Sequence, residues 1–446
     1  MKKLVLLFAA LCSAFAFSAN AQNQVLPNDP AVRKGQLENG LTYYIMKNGQ
    51  PANRAEFYLA TNVGAIQETP DQDGLAHFLE HMCFNGTKNF PGKGILDWLQ
   101  SIGASFGGNV NAQTGVEQTT YMLNNIPLIR PTVVDSCILI THDYSHFVTC
   151  DPKEIDAERG VIIEERRSRR DANWRMYEKS KPYIYGDSKY ASCSLIGSQE
   201  NLETFKPESL TNFYRTWYRP DLQALIVVGD IDPDYVETKI KEIFSDIPAP
   251  TDPKPKDVIM IPGNQEPVIG IVSDPEAVNS TYEVYWKNEA MPEEFNNTVL
   301  GKISDILKSL ISSIMDERFS DISAKADAPF IHAGFGIGNL CETMEVSMGN
   351  IAAHENDPVG AFKAFYTEIK KMEKYGFSSD EISRAKEDLL SYYESAAKKA
   401  STRQNSELVQ PLIDNFFDNY AYMEPEQEYE LTKQLMSMLP DQAINQ

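Results

Sequence analysis

Residues 74–86 are Gly-Leu-Ala-His-Phe-Leu-Glu-His-Met-Cys-Phe-Asn-Gly and contain His77-x-x-Glu80-His81. In an α-helix each residue advances by about 100°, so the two imidazoles and the carboxylate share one face. The opposite face is apolar, with Leu75, Phe78, Leu79 and Met82. The stretch therefore predicts one amphipathic helix whose apolar side faces the core.

Both ends of this helix carry residues that suit helix termini. Asp71 or Asp73 can accept a hydrogen bond from the backbone N–H groups of the first turn. Gly86 can adopt the left-handed backbone with which many helices close.

The polar face of this helix suits a metal ion. Histidines four residues apart can present nitrogen atoms to one ion, and the H-x-x-E-H order is the inverted zinc-protease motif. Glu80, between them, can take a proton from a water molecule at the metal. The alternative is an ordinary amphipathic helix whose polar face happens to carry these residues.

Composition describes an acidic globular protein. The chain has 446 residues, of which 42% are hydrophobic and 23% charged, with a net charge of −22. Such a length allows two or three domains. The negative charge is spread along the chain, which argues against nucleic acid and anionic membranes as partners.

The first residues predict a secretory signal over 1–21. Lys2 and Lys3 precede an apolar run over 4–17, and Ala19-Asn20-Ala21 fits the cleavage rule for small residues. No later segment qualifies as a membrane anchor. We therefore expect a secreted protein, located in the periplasm or, as the second choice, outside the cell.

Five cysteines remain after the signal is removed: Cys83, Cys137, Cys150, Cys193 and Cys341. The number is odd and no C-x-x-C pair is present. Either one bridge such as Cys137–Cys150 or buried free thiols would fit. Cys83 lies away from the histidine face of its helix and is not a candidate ligand.

The element order predicts two similar α+β domains, each a mostly antiparallel sheet packed with helices. The first covers 22–247, a proline-rich linker covers 248–267, and the second covers 268–446. Within these domains we expect, among other elements, one helix over 152–180 and a strand region over 268–287. The second domain lacks the closing strand of the first, so we expect it to be incomplete and the natural polypeptide to continue.

A catalytic zinc ion takes three protein ligands, so a third ligand must come from another segment. Glu158 and Glu165 lie seven residues apart on the predicted helix over 152–180 and therefore share a face. Glu164 points elsewhere.

Over about residues 35–445 the chain resembles the pitrilysin family of inverzincins, with insulin-degrading enzyme and the mitochondrial processing peptidase. The resemblance rests on several short motifs: 74–87, Asn111-Ala112-x-Thr114, Thr119-x-Tyr121, Glu158-Arg159 with Glu165, Leu195-Ile196-Gly197, Tyr218-Arg219-Pro220 before Val228-Gly229-Asp230, and Gly376 with Glu381-Ile382-x-Arg384-Ala385-Lys386.

The resemblance implies that His77, His81 and Glu165 bind one Zn²⁺. It implies Glu80 as the general base and Glu158 as a supporting carboxylate. The spacing from His81 to Glu165 is longer than is usual in the family, and Glu158 would fit the spacing better. Glu165 is preferred because the family's ligand is the second glutamate of the pair, and Glu158 stays as the alternative ligand.

The resemblance also implies that Asn111, Ala112 and Gln113 form a substrate-binding edge strand. An open strand edge can add a peptide through backbone hydrogen bonds. The alternative is an ordinary internal strand. His142 and His146 also stand four residues apart, but no glutamate completes a motif there, so we expect them to be structural.

Together with the motif, the resemblance implies a zinc-dependent endopeptidase that hydrolyses peptides or unfolded polypeptides in a chamber completed by a second half. Family members draw further active-site residues from that half, so this chain alone is expected to be weakly active or inactive. Two rivals remain: a non-catalytic scaffold or binding subunit of the same fold, and a catalytic subunit that needs a separate partner chain.

Overall fold

The computed structural model describes residues 23–445, so the predicted signal over 1–21 lies outside the described residues. The first sheet has six strands in the order β1-β2-β6-β3-β5-β4. They are β1 (Val32–Gln36), β2 (Thr42–Lys47), β3 (Arg54–Thr61), β4 (Val110–Thr114), β5 (Thr119–Pro127) and β6 (Gln223–Gly229). Strands β2 and β6 are parallel, and the other neighbours are antiparallel. Strand β4 ends the sheet as an edge strand.

Helices cover the first sheet and join its strands. They are α1 (Leu75–Met82), α2 (Gly94–Ser101), α3 (Thr132–His146), α4 (Pro152–Arg169), α5 (Ala172–Tyr185), α6 (Lys189–Ser192), α7 (Gln199–Thr204), α8 (Pro207–Trp217) and α9 (Pro233–Ile243).

The single helix expected over 152–180 is wrong, because two helices occupy this stretch. Helix α4 ends at Arg169, and Asp171 begins α5 by accepting a hydrogen bond from the backbone N–H of Trp174 at 2.8 Å. An aspartate in extended backbone at a helix start stabilises a new helix, which ends the preceding one.

The second sheet has three antiparallel strands in the order β7-β9-β8. They are β7 (Ser280–Glu289), β8 (Phe330–Cys341) and β9 (Met344–Ala353). Its helices are α10 (Val299–Ser323), α11 (Pro358–Tyr375), α12 (Ser379–Lys398), α13 (Gln410–Asp418), α14 (Pro425–Met438) and α15 (Asp441–Ile444).

The strand region expected over 268–287 begins later than predicted. Residues 268–279 form no strand, and Val268, Ile269 and Ile271 are exposed. Their β-branched character favours a strand, but no described strand lies beside them to supply hydrogen bonds. The fold class is confirmed: two domains, each with a mostly antiparallel sheet and packed helices. The boundaries at 247 and 268 stay a prediction.

The first sheet is covered on both faces, and one of its covers comes from the C-terminal part of the chain. Strand β6 is buried along its whole length, with Leu225 and Val227 in the core under α1 and Ala224 and Ile226 on the other face. That other face packs against residues 408–422, including Leu412 of α13. Successive side chains of a strand point to opposite faces, so the unbroken apolar run over 224–228 predicts two buried faces. Which segment covers the second face is decided by tertiary packing.

The five cysteines of the described chain are free thiols, so the bridge Cys137–Cys150 does not form and the alternative of unpaired thiols holds. None of the helices in residues 23–445 combines the length and the apolar character needed to cross a bilayer.

Candidate metal centre

Helix α1 separates an apolar face from a polar face, as its sequence predicts. Leu75, Phe78, Leu79 and Met82 are fully buried in the first core. His77, Glu80 and His81 project from the other side of the helix, toward α4 and β4. The two imidazole rings contact each other edge to face, with their centres 4.8 Å apart.

Glu165 of helix α4 meets both histidines. Its Oε2 atom lies 3.7 Å from Nε2 of His77 and 3.2 Å from Nε2 of His81. One ligand atom from each of the three residues lies within 4.8 Å of the other two. Its other oxygen, Oε1, is 2.5 Å from a guanidinium nitrogen of Arg169, one turn further along α4.

This donor set fits a zinc ion. Two imidazole nitrogens and one carboxylate oxygen are the ligands that catalytic zinc sites use, and three protein ligands leave a fourth position open. The buried Nδ1 of His77 has no hydrogen-bond partner among the described residues, whereas Nε2 faces Glu165. Nε2 of His77 and Nε2 of His81 therefore face the same carboxylate oxygen of Glu165.

Glu158 lies on the opposite side of the His81 ring from Glu165. Its Oε1 atom is 2.8 Å from Nδ1 of His81, and its Oε2 accepts a hydrogen bond from the Asn85 amide at 2.7 Å. A carboxylate that binds the second nitrogen of a ligand histidine orients the ring and sets its tautomer. Glu165 is thus the carboxylate that faces both histidines, whereas Glu158 contacts only the second nitrogen of His81.

The two histidines differ in proton affinity. Burial, together with the neighbouring His81, lowers the pKa of His77 to about 4. Burial also lowers the pKa of His81, but its hydrogen bonds with Glu158 and Glu165 outweigh this and raise it to about 9. Burial therefore favours the neutral form of His77, whereas the two carboxylates favour the protonated form of His81.

Glu80 stands beside this cluster, within reach of strand β4. Burial raises the pKa of Glu80, against the opposing effect of a 2.5 Å hydrogen bond that Thr114 donates to its Oε2 atom. A carboxyl group with a raised pKa is suited to exchange protons near neutral pH.

Strand β4 carries Asn111, Ala112 and Gln113 along the free edge of the sheet. Asn111 and Gln113 are exposed. The backbone N–H of Ala112 donates to the side-chain oxygen of Asn111 at 2.9 Å, which shows that this N–H points away from β5. Since Thr114 ends the strand and contacts Glu80, the open edge leads directly to the cluster of acidic and imidazole groups.

His142 and His146 do not form a second metal centre. His142 is 2% exposed, and its ring nitrogens lie 2.7 Å from Asp246 and 3.0 Å from Asp143. Within residues 23–445, His77, His81 and Glu165 are the one group of three such side chains that converge closely enough for a metal.

Three residues of the centre escaped the sequence analysis as functional candidates: Asn85, Thr114 and Glu68. Asn85 stands four residues after His81, a spacing that predicts a shared helix face.

The aspartates expected to cap α1 do not do so, since Asp73 accepts from the Ser198 N–H and Asp71 from the hydroxyl of Thr69. Glu68 accepts from the backbone there instead, and no local spacing indicated it.

Two protein-family models match the chain. A family model described as insulinase (peptidase family M16) matches residues 43–182, and one described as the peptidase M16 inactive domain matches residues 204–389. The chain belongs to peptidase family M16. This confirms the resemblance to the pitrilysin and insulin-degrading enzyme group.

The M16 relatives include proteins named as zinc proteases. The chain is 28% identical over 422 residues to the probable zinc protease PqqL of Escherichia coli, covering 94% of this chain and 45% of that protein. It is 27% identical over 446 residues to the probable zinc protease PqqL of Haemophilus influenzae, covering 98% of this chain and 47% of that protein. The chain thus spans about half the length of these curated relatives.

Among solved structures, the chain is similar to the first half of the periplasmic protease PqqL from Escherichia coli. The match has a TM-score of 0.83 at 26% identity and covers 94% of this chain and 89% of that chain. A second structure of the periplasmic protease PqqL from Escherichia coli matches with a TM-score of 0.85 at 27% identity, over 94% of this chain and 46% of that one.

Proposed function

We propose that this chain is the catalytic half of a zinc-dependent endopeptidase. The observation that supports it best is the convergence of His77, His81 and Glu165, with Glu80 beside them at the end of an open sheet edge. Relatives named as zinc proteases support the same chemistry.

In this proposal each residue has one task. His77, His81 and Glu165 hold the zinc, and Glu158 orients His81. A zinc ion held there would supply Lewis acidity, which can polarise a peptide carbonyl and make a water molecule more acidic. Glu80 accepts the proton of the attacking water and later delivers it to the departing amine.

Peptide binding falls to the edge strand in this proposal. A substrate in extended conformation adds to β4 through backbone hydrogen bonds, including one to the outward N–H of Ala112. Such binding tolerates many sequences, which suits peptides and unfolded polypeptides. The segment that reaches Glu80 would be the one cleaved.

A second half is part of the proposal, because the chain spans 45% and 47% of the PqqL relatives. That half would close a chamber around the substrate. It would come from the same polypeptide or from a separate partner chain. The periplasm is the proposed location, since the Escherichia coli relative is a periplasmic protease and residues 1–21 read as a secretion signal.

The test combines zinc content with peptide cleavage. The purified chain should bind one zinc ion, and the chain together with its second half, on the same polypeptide or as a separate partner, should cleave a quenched fluorescent peptide. Glu80→Gln should retain zinc and lose cleavage by about 10²–10⁴-fold, the usual worth of a general base. Glu164→Gln, an exposed neighbour of the ligand, is the matched control and should behave as wild type.

The outcomes separate the rivals. A chain that binds no zinc would overturn the proposal in favour of a non-catalytic scaffold. Zinc binding with cleavage only after a second half is supplied identifies a subunit that needs a partner. Full turnover by Glu80→Gln would remove Glu80 as the base.

A further inference from the structure

The start of helix α1 lacks the usual local cap. Its N-cap residue is Gly74, with φ at 86° and no side chain, and its first turn contains no acidic residue. Backbone N–H groups at a helix start have no partners within the helix, so a buried start needs acceptors from elsewhere.

The side chain of Glu68 supplies two acceptors for the backbone N–H groups at the start of α1. Its Oε2 atom accepts from the Gly74 N–H at 2.9 Å, and Oε1 accepts from the Ala76 N–H at 2.7 Å. The residue is 6% exposed. Each oxygen of the carboxyl group therefore accepts one N–H at the positive end of the helix. Burial raises the pKa of Glu68 well above its usual value, and these two hydrogen bonds oppose that rise.

Glu68 is itself held by the hairpin that carries the edge strand. It follows the turn Ala65–Gln67, whose first two N–H groups donate to the carbonyls of Gly115 and Val116 at 3.1 and 2.8 Å. Gly64 lies so close to these carbonyls that a Cβ there would approach them to 2.5 Å. The β4–β5 turn therefore fixes the position of Glu68, and through Glu68 the start of α1.

The same end of α1 is joined to helix α4. A Cβ on Gly74 would lie 2.6 Å from the Cα of Gly197, so the two backbones touch. Arg166, next to Glu165 on α4, donates to the Gly197 carbonyl at 2.9 Å. Any shift at the start of α1 therefore changes its separation from the helix that carries the third ligand.

His77 depends on this anchoring more than His81 does. His81 has Glu158 behind its ring, whereas Nδ1 of His77 has no hydrogen-bond partner among the described residues. The ring of His77 is placed by its backbone and by packing, and its neighbour Ala76 is the residue whose N–H Glu68 accepts.

We infer that Glu68 is a positioning residue of the metal centre, whose carboxylate holds the start of helix α1 so that His77 meets the ligand atoms of His81 and Glu165. The inference rests on the proposed function, because it concerns the same zinc ion. The hydrogen bonds of Glu68 go to the backbone N–H groups of Gly74 and Ala76, so it acts through the backbone of α1.

The test compares Glu68→Gln with Asp71→Asn. Glutamine keeps the size but offers one acceptor oxygen, so one buried N–H loses its partner. Its zinc dissociation constant, measured by competition with a chromophoric chelator, should rise about 10–100-fold, as for other changes behind a ligand. The visible spectrum of the Co²⁺-substituted protein should change, and kcat should fall more than KM rises.

Two controls separate positioning from general stability. Asp71→Asn alters an exposed carboxylate of the same segment and should leave all readouts at wild-type values. Ile240 lies on helix α9 and is buried in the hydrophobic core. Ile240→Val should therefore lower the melting temperature but leave the zinc affinity unchanged. If Glu68→Gln does not fold, Glu68→Asp takes its place, since its shorter reach also loses one N–H.

Wild-type zinc affinity and an unchanged Co²⁺ spectrum in a folded Glu68→Gln or Glu68→Asp variant would overturn the inference while leaving the proposed function intact. A wild-type protein that neither binds zinc nor cleaves peptide would overturn the proposed function instead.

Discussion

Two glutamates of helix α4 stand on opposite sides of the His81 ring. We therefore expect their substitutions to weaken zinc binding by different amounts. Glu165 points to Nε2 of both histidines, and Glu158 holds Nδ1 of His81. Glu158→Gln should weaken zinc binding about 10–100-fold, as loss of a supporting carboxylate does. Glu165→Gln should weaken it further, because a ligand is removed.

Equilibrium zinc titration of the two variants measures this order, with Glu164→Gln as the control on the same helix. The reverse order, with Glu158→Gln the weaker binder, would make Glu158 the ligand and Glu165 the support. That result would agree with the usual family spacing between His81 and the ligand glutamate. It would contradict the ligand choice favoured by the short distances from Glu165 to both histidines.

At the scale of elements, strand β4 offers a change confined to its free edge. Ala112→Pro removes the N–H that points away from β5 and keeps the ladder on the other side. We expect kcat/KM for peptide cleavage to fall about 10-fold or more, through KM, while zinc binding is retained. Proline at an edge position should change the thermal midpoint little. Unchanged peptide kinetics in Ala112→Pro would argue against binding along this edge.

Helix α12 begins with a capping box formed by Ser378 and Glu381, which stand three residues apart in the sequence. Arg318 of α10 also binds Glu381 with two hydrogen bonds at 2.5 and 3.0 Å, and this contact lowers the pKa of Glu381 to about 2. A lowered pKa means that the stabilisation is complete above the unfolded value of 4.5 and is lost as the pH falls toward about 2.

Glu381→Gln should therefore lower the free energy of unfolding by about 1–2 kcal/mol at pH 7, the usual worth of a cap with a charged partner. The difference from wild type should shrink steadily below pH 4.5. Urea unfolding at pH 7, 4.5 and 3 measures it, with Glu387→Gln on the exposed face of α12 as the control. A difference that is constant with pH would exclude the ionic contribution.

For the whole molecule, the metal centre connects segments that are far apart in sequence. Two of the proposed ligands lie on α1 and the third on α4, so an ion that binds only the folded chain would stabilise it. A free zinc concentration 100 times the dissociation constant contributes about 2.7 kcal/mol. Chelation should therefore lower the melting temperature by several degrees.

Calorimetry with zinc and with a chelator measures this difference. The Glu165→Gln variant should melt at the same temperature in both conditions, because its site is incomplete. A wild-type melting temperature that does not respond to the chelator would contradict a structural link through the metal. Release of the ion should be reversible, since the same midpoint is expected after zinc is restored.

The sequence by itself determined the features that depend on local periodicity. The 3.6-residue repeat puts His77, Glu80 and His81 on one face of α1, and the apolar residues between them go to the core. The capping box of α12 needs residues only three apart. Family motifs spread along the chain identified the fold class, because each is short and specific.

Tertiary structure alone decided the relations between distant segments. Glu158 and Glu165 share a helix face, so their different distances to His81 depend on how α1 and α4 pack. Glu68 caps α1 only because the β4–β5 turn holds it there, and residues 408–422 cover the first sheet although they follow the second. Local sequence sets which face a side chain occupies, whereas the separation of two faces is set by the packing of everything between them.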